Sequence, residues 1–334
     1  MAIMKWIYSA VIRDNSLFCL PGNGRNLYKI SLKNFSVEKK IEISKQASSR
    51  WGLFVKNNVF FCISKSGDEI ICWDENTDET FPLRCSAKMP ERSVVVGYKD
   101  TIWMIPNEVS DDLYYYSIEK KKFYISENWK SFIKDSGITG RIKRWYDKDK
   151  YVYLIIDQEK RFLKFDMDME QLIDQTLPID GYVEDLVVHE DKIYFLTDND
   201  TSVHCWNPQK KIIFDINNTM QGSCHKLVDA GDTIVIDGGY SVGLLRDDKI
   251  CGTDIKIKKG RAKSAFFKAV KYKSYWLVIP WGNDAFITFS ENFDSYSINF
   301  VSMPLEDLID AETRLNEGEV SLKEWLQYLT EKET

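Results

Sequence analysis

Cations and tryptophans recur where a series of apolar strands begins or ends, and this combination suits the binding of an anion. The residues concerned are Arg50, Trp51, Arg92, Arg144, Trp145, His225, Lys226, Lys263 and Trp281. Arginine offers paired donors to a phosphate or carboxylate, and tryptophan offers an apolar face on which a sugar can stack. We therefore predict that these residues form a site for an anionic or carbohydrate-like small molecule.

A second interpretation of the same cations remains open. One strand entrance, GYVEDL, contains Glu184 and Asp185 in place of a cation. The cations of the other entrances then pair with these carboxylates or with loop carboxylates, or are simply solvated at the rim.

Motifs that would carry catalysis are scarce in this chain. There is no P-loop, no nucleophile elbow and no zinc-protease motif, and the only histidines are His189, His204 and His225. We predict no catalytic residue, no metal and no cofactor, with His189 and His204 in structural roles. One alternative is a carbohydrate-active enzyme, a glycoside hydrolase or lyase, because such chemistry needs only two suitably separated carboxylates. The candidates are Asp157, Glu159, Asp198, Asp200, Asp237 and Asp284.

Charge and cysteine content restrict the partners and the compartment. The net charge of −6 belongs to residues 304–334, which contain nine acidic and three basic side chains, so the rest of the chain is neutral. A protein that binds nucleic acid normally carries a basic excess, and we therefore predict no nucleic-acid partner. The seven cysteines form no C-x-x-C pair, and four of them (Cys19, Cys62, Cys72 and Cys205) lie in apolar runs. We expect buried, reduced thiols in a cytoplasmic protein that does not bind a membrane.

The elements that position the candidate site come from an internal repeat. An apolar strand followed by a turn recurs with its second residue at Phe18, Phe60, Ile102, Val152, Ile193, Ile234 and Tyr275, giving spacings of 42, 42, 50, 41, 41 and 41 residues. An apolar pair precedes each of the first six strands, and two more strands follow each of the seven. Each repeat therefore predicts four short antiparallel strands joined by hairpins.

Seven such units bury their faces when they are arranged around an axis, which predicts an all-β, seven-bladed β-propeller over residues 5–303. The chain contains a glycine pair, Gly238-Gly239, and a Trp73-Asp74 dipeptide. In this architecture it resembles the kelch-like and WD-like repeat superfamily, and the resemblance implies the propeller fold. The sequence shows no obvious blade shared between the termini, and direct packing of the first blade on the last is one way in which the ring can close; the sequence leaves the mode of closure open.

Two segments fall outside the regular repeat. The spacing of 50 residues contains Trp129 and Phe132, which predict a short helix that either covers the mouth of the propeller or is a neutral insertion. Residues 304–334 form a short, acidic C-terminal tail, in which Ser321–Glu324 resembles a capping box at the start of a helix. The apolar face of this helix is expected to pack on the propeller itself or on a partner.

These observations favour a non-catalytic binding or scaffold propeller. Its loops on one face are the expected place for a site, since loops held by a rigid scaffold commonly carry function. The expected partner is a protein or an anionic, carbohydrate-like small molecule.

Overall fold

The chain forms a ring of seven four-stranded blades, as the repeat predicts. A computed structural model describes residues 2–3, 7–21, 25–44, 51–67, 69–156, 161–177, 181–198, 202–220, 224–238, 241–256, 266–280 and 285–303. The helical tail expected at residues 304–334 lies outside the described residues. Within them, no helix combines the length and the apolar character needed to cross a bilayer.

The first three blades follow a short N-terminal strand, β1 (Ala2–Ile3). Blade 1 contains β2 (Ile7–Arg13), β3 (Ser16–Pro21), β4 (Asn26–Ser31) and β5 (Val37–Glu42). Blade 2 contains β6 (Trp51–Lys56), β7 (Val59–Ser64), β8 (Glu69–Asp74) and β9 (Glu79–Arg84). Blade 3 contains β10 (Arg92–Tyr98), β11 (Thr101–Pro106), β12 (Tyr114–Ser117) and β13 (Lys122–Ile125).

The remaining four blades follow helix α1 (Glu127–Ser136). Blade 4 contains β14 (Ile142–Lys148), β15 (Tyr151–Ile156), β16 (Arg161–Asp166) and β17 (Gln171–Thr176). Blade 5 contains β18 (Val183–His189), β19 (Lys192–Thr197), β20 (Val203–Asn207) and β21 (Ile212–Asp215). Blade 6 contains β23 (Lys226–Asp229), β24 (Ile234–Asp237), β25 (Ser241–Arg246) and β26 (Lys249–Lys256), with β22 (Asn217–Asn218) beside β26. Blade 7 contains β27 (Phe266–Tyr272), β28 (Tyr275–Pro280), β29 (Ala285–Ser290) and β30 (Tyr296–Phe300), followed by β31 (Ser302–Met303).

Tight turns join the strands within a blade. Asn57 and Asn58, like Glu190 and Asp191, both have positive φ between two paired strands, which is the conformation of a type I′ turn. Polar residues of this kind tolerate the left-handed region better than branched apolar residues do. The short polar turns seen in the sequence therefore fix the hairpin register.

The core is divided among the interfaces between blades. Seven hydrophobic clusters occur in the described part of the chain, and each combines residues of two neighbouring blades. The cluster between blades 1 and 2, for example, packs Phe18 against Phe60 and Trp73. Because each blade faces a neighbour on both sides, a single blade cannot bury its apolar residues alone.

Blade 7 closes the ring by packing on blade 1, and no blade is shared between the termini. The cluster at this junction contains Leu17 and Tyr28 of blade 1 with Leu277 and Phe286 of blade 7. In addition, β1 pairs with β31 in a separate two-stranded antiparallel sheet. The structure therefore settles a point that the sequence leaves open: blade 7 packs directly on blade 1, and the terminal pair of strands adds a second connection.

Side chains at the ends of the inner strands connect the blades in one direction around the ring. In six of the seven blades, the last residue of the inner strand contacts an acceptor on the next blade. The pairs are Arg13 with Glu75, Lys56 with Asp100, Tyr98 with Asp168, Lys148 with the Val188 carbonyl, His189 with Asp229, and Tyr272 with Asn15. These contacts hold the hairpin-turn face of the ring together.

The helix predicted between blades 3 and 4 is present as α1. The Ser126 hydroxyl accepts from the Trp129 amide at 3.2 Å and caps the helix, and Gly137 ends it with a φ of 66°. Trp129 is buried in the cluster between blades 3 and 4, where its indole donates to the carbonyls of Val109 and Asp111. The helix packs against β17, the outermost strand of blade 4. It therefore lies towards the outside of the ring and does not cover the central opening.

All seven cysteines are free thiols. The four expected to be buried, Cys19, Cys62, Cys72 and Cys205, are buried, and Cys251 is exposed. Burial raises the pKa of the Cys72 thiol to about 12, which keeps it protonated and unreactive at neutral pH.

Candidate functional site

The candidate residues that the structure describes lie at or near the start of inner strands, on the face that we call the loop face. This face carries the connections between blades and those between the second and third strands of each blade. In five blades the inner strand starts with a β-bulge, which redirects the side chain that follows it. The residues after the bulge are Ser9, Val94, Arg144, Asp185 and Lys268.

Arg144 is held by blade 5. One of its terminal nitrogens lies 3.0 Å from the Glu184 carboxylate, and its Nε donates to the Glu184 backbone carbonyl. The other terminal nitrogen donates to the Lys143 carbonyl at 2.9 Å. The guanidinium is therefore positioned by three acceptors, although its side chain remains partly exposed to solvent.

Lys226 of blade 6 is held by Asp185 of blade 5, the residue that follows Glu184. Its Nζ lies 2.5 Å from Asp185 Oδ1, and the Leu227 amide donates to Asp185 Oδ2 at 2.7 Å. Asp185 is buried, and the adjacent His225 is half-buried with its amide bonded to the Asp237 carbonyl. Adjacent residues of blade 5 thus pair with Arg144 of blade 4 and Lys226 of blade 6, as the second interpretation of the cations anticipates.

Arg92 is enclosed between blades 2 and 3. The residue is 2% exposed, and its guanidinium donates to the Ser64 carbonyl at 2.9 Å and to the Gly67 carbonyl. These carbonyls belong to the end of β7 and the loop after it. The contacts connect the start of blade 3 to the loop face of blade 2.

The structure describes only some of the tryptophans and of the remaining cations in the candidate set. Trp145 is half-buried and packs against the cluster between blades 3 and 4. The backbone of Trp51 opens β6. Arg50, Lys263 and Trp281 lie outside the described residues, as does the Trp51 side chain. The structure therefore connects Arg144 and Lys226 through blade 5, and it places Arg92 and Trp145 in interfaces between blades.

Two charged groups on inner strands of different blades influence each other's ionisation. They are Asp147 of β14 and Lys268 of β27, in blades 4 and 7, which are not neighbours in the ring. Solvent reaches Asp147, but the surrounding inner strands reduce its hydration. This enclosure raises the pKa of the Asp147 carboxyl and lowers the pKa of the Lys268 ammonium, while each charge opposes the shift of the other.

A second carboxylate connects three blades near the hairpin-turn face. Asp229 of blade 6 accepts from Tyr146 at 2.8 Å and from Lys148 at 3.0 Å, both in blade 4, and lies 3.0 Å from His189 of blade 5. Burial would raise the pKa of this carboxyl, but the contacts with His189, Lys148 and Tyr146 outweigh burial and lower it. Sequence reasoning missed this cluster because its members lie on three different repeats.

The described histidines and loop carboxylates form no group that could hold a metal ion. His204 lies 2.7 Å from Asp215, and Asp198 accepts from the Tyr182 amide at 2.8 Å. Asp237 is fully buried. No cluster of three potential metal ligands occurs among the described residues. Asp157, Glu159, Asp200 and Asp284 lie outside them, so the carboxylate pair of the alternative enzyme stays a prediction.

Comparison with known proteins shows the fold. No protein-family model and no curated protein matches the sequence. Among solved structures, the chain is similar to YCF48 bound to D1 peptide, with a TM-score of 0.64 at 9% identity over 84% of this chain and 92% of that one. It is also similar to virginiamycin B lyase from Staphylococcus aureus, with a TM-score of 0.58 at 8% identity over 85% of this chain and 95% of that one. The computationally designed Ika8 protein gives a TM-score of 0.57 at 10% identity, over 88% and 86% of the two chains.

Proposed function

We propose that this chain is a non-catalytic binding propeller whose main partner is a protein. The observation that carries the proposal is the distribution of exposed apolar side chains. Six of the nine large exposed hydrophobic residues in the described part of the chain belong to blades 4 and 5 or the connection between them. They are Met169, Ile173, Tyr182, Ile212, Ile213 and Phe214. Apolar residues concentrated on one side of a soluble protein typically mark an interaction surface.

The rest of the structure supports a scaffold role. The described cations at the inner-strand entrances include Arg92, Arg144 and Lys226, whose donors are taken by carbonyls and carboxylates of the same protein. This arrangement stabilises the ring and leaves less positive charge for a small anion. The similar structure of YCF48 holds a peptide, which supports a protein partner for this fold without identifying it.

The test is purification of the tagged, full-length chain from its own cells, with quantitative mass spectrometry of everything that stays bound. We expect at least one other protein in stoichiometric amount at about 0.15 M ionic strength, since apolar contacts resist salt screening. Recovery of the chain alone, or with only substoichiometric companions, would contradict a protein-binding function.

A second candidate function is the binding of an anionic or carbohydrate-like molecule on the loop face. A specific contact favours it: the Lys143 ammonium lies 4.5 Å from the centre of the ring of Tyr182, which is exposed, and Arg144, the residue after Lys143, is partly exposed. A ring and two cations are suitable groups for an acidic sugar. Arg50, Trp51, Lys263 and Trp281 would extend this site. The proposal includes a cytoplasmic location, which the buried thiols favour.

Thermal-shift screening at low salt separates this candidate from the first. Uronic acids, sialic acid, nucleotides and phosphorylated metabolites are the probes. A stabilising shift that is lost in Lys143→Ala and kept in Lys249→Ala, an exposed lysine of β26, supports the anion site. Equal shifts in both variants would exclude Lys143 from the site.

A further inference from the structure

The outer strands of blades 4 and 5, β17 and β21, carry apolar residues on the sides that face each other, and we call the space between these two strands the groove. Directly opposite residues of paired strands share one side of a blade. In blade 4, Tyr153, Lys164 and Ile173 are opposite one another across β15, β16 and β17. Tyr153 belongs to the hydrophobic cluster between blades 4 and 5, so this whole row faces blade 5.

The facing wall comes from blade 5. Ile213 of β21 is opposite Trp206 of β20, and Trp206 belongs to the same cluster between blades 4 and 5. Inside the cluster, Trp206 meets Phe162 of blade 4 edge to face, with ring centres 5.8 Å apart. Ile173 and Ile213 therefore stand at the outer end of one cluster, on opposite walls, and they are 48% and 37% exposed.

One side of the groove contains a lysine that lies against two tyrosine rings. The Lys164 ammonium lies 3.7 Å from the centre of the Tyr151 ring and 5.6 Å from that of Tyr153. Lys210 and Lys211 are exposed at the turn that leads into β21. Within the described residues, no carboxylate lies within ion-pair distance of Lys164, Lys210 or Lys211, in contrast to Arg144 and Lys226. Apolar walls and cations without acidic partners fit a segment that is apolar and acidic.

We propose that this groove, between β17 and β21, binds an apolar segment of a partner protein that places a carboxylate opposite Lys164. The inference rests on the proposed protein-binding function and adds its surface and the chemistry of its partner. The apolar side chains of the segment fill the space between Ile173 and Ile213, and the carboxylate meets the ammonium that the tyrosine rings hold in place.

The experiment uses the full-length chain and the companion protein that copurifies with it. Binding constants are measured for the wild type, Ile213→Glu, Ile173→Gln and Lys164→Gln. The matched control is Phe81→Glu, because Phe81 is 39% exposed on β9, the outer strand of blade 2. We expect Ile213→Glu to weaken binding by at least about tenfold, as the loss of a buried isoleucine contact predicts, and Phe81→Glu to leave it unchanged. Lys164→Gln is expected to weaken binding several-fold and to reduce its dependence on salt.

A photo-crosslinker at position 173, with the same group at position 81 as control, identifies the occupant. Crosslinking from position 173 to an acidic, apolar segment of the companion supports the proposal. Crosslinks to residues 304–334 of the same chain, or to a second copy of it, would show that the groove does not bind a partner protein. If the companion binds the Ile213→Glu and Ile173→Gln variants as tightly as the wild type, the groove is not its binding surface. The proposed protein-binding function would still hold. If no companion copurifies, both the proposed protein-binding function and the groove as its binding surface are contradicted.

Discussion

Gly97 shows how closely neighbouring blades approach at the level of single atoms. A Cβ at this position would lie 1.8 Å from Cδ2 of the Phe54 ring on the inner strand of blade 2. We expect Gly97→Ala to lower the free energy of unfolding by about 1–3 kcal/mol, the usual cost of overpacking. Gly252→Ala is the control, because its nearest neighbour would be Met220 Cα at 3.4 Å. Equal denaturation midpoints for the two variants would refute this close contact.

The reactivity of individual cysteines tests which of them are buried in the folded protein. Cys251 is exposed on β26, whereas burial raises the pKa of Cys72 to about 12 and also raises those of Cys19 and Cys62. A thiol reagent applied to the native protein is expected to label Cys251 first and the partly exposed Cys85 more slowly, and Cys251→Ser should remove the fastest phase. Rapid labelling of several thiols in the variant would show that the blades are looser than described.

Single residues show what the sequence could and could not provide. The burial of Cys19, Cys62, Cys72 and Cys205 was predictable because each lies in an apolar run of the repeat. The environment of Arg92 was not, because its partners Ser64 and Gly67 belong to another repeat. A cation before a strand looks the same in sequence whether it faces solvent or a neighbouring blade.

At the scale of elements, Asp229 joins the inner strands of three blades through Tyr146, Lys148 and His189. These contacts lower the pKa of the carboxyl in the folded protein despite its burial. A lowered pKa stabilises the fold above the unfolded value of about 3.9 and loses this contribution as the pH falls through the folded value. We expect Asp229→Asn to cost about 1–3 kcal/mol near neutral pH and less in acid.

Chemical denaturation of the wild type and Asp229→Asn between neutral pH and acid measures this difference. The exposed turn variant Asp232→Asn controls for the loss of one carboxylate, and we expect it to follow the wild type within about 0.5 kcal/mol. If the difference in the free energy of unfolding between Asp229→Asn and the wild type stays constant down to strongly acidic pH, the pKa of Asp229 is not lowered by folding.

The repeat predicted the strands well because apolar alternation and polar turns recur in every copy. It did not predict the β1–β31 pair or the parallel pairing of β22 with β26. Each pairing joins two residues on each side, which is too short to produce a periodic pattern. The extra residues between blades 3 and 4 indicated a helix, but not that Trp129 would place it against β17.

For the whole molecule, the ring is expected to fold without the acidic tail. Blade 7 packs on blade 1 through residues that all precede Pro304, and β31 ends at Met303. A chain ending at Met303 should therefore unfold in one cooperative transition with a midpoint within about 2 °C of the full chain, a shift that corresponds to about 1 kcal/mol for a protein of this size. Loss of cooperativity, or a fall of more than about 10 °C, would show that residues 304–334 belong to the folded unit.

The fold could be predicted from the sequence more fully than the groove between blades 4 and 5, because the groove exists only in the assembled ring. Seven similar repeats leave few ways to bury their apolar faces, so the ring follows from periodicity and composition. The groove between blades 4 and 5 depends on the facing of Ile173 and Ile213, which lie 40 positions apart in neighbouring blades. Their exposure is a property of the assembled ring and is not visible in either repeat.

Native mass spectrometry of the tagged chain, isolated from its own cells at about 0.15 M ionic strength, tests the proposed function most directly. We predict a species heavier than the 39.0 kDa chain by the mass of a different polypeptide, with the chain and its companion in simple stoichiometry. A bare 39.0 kDa chain, or one that carries only a small anionic molecule, would contradict a protein-binding propeller.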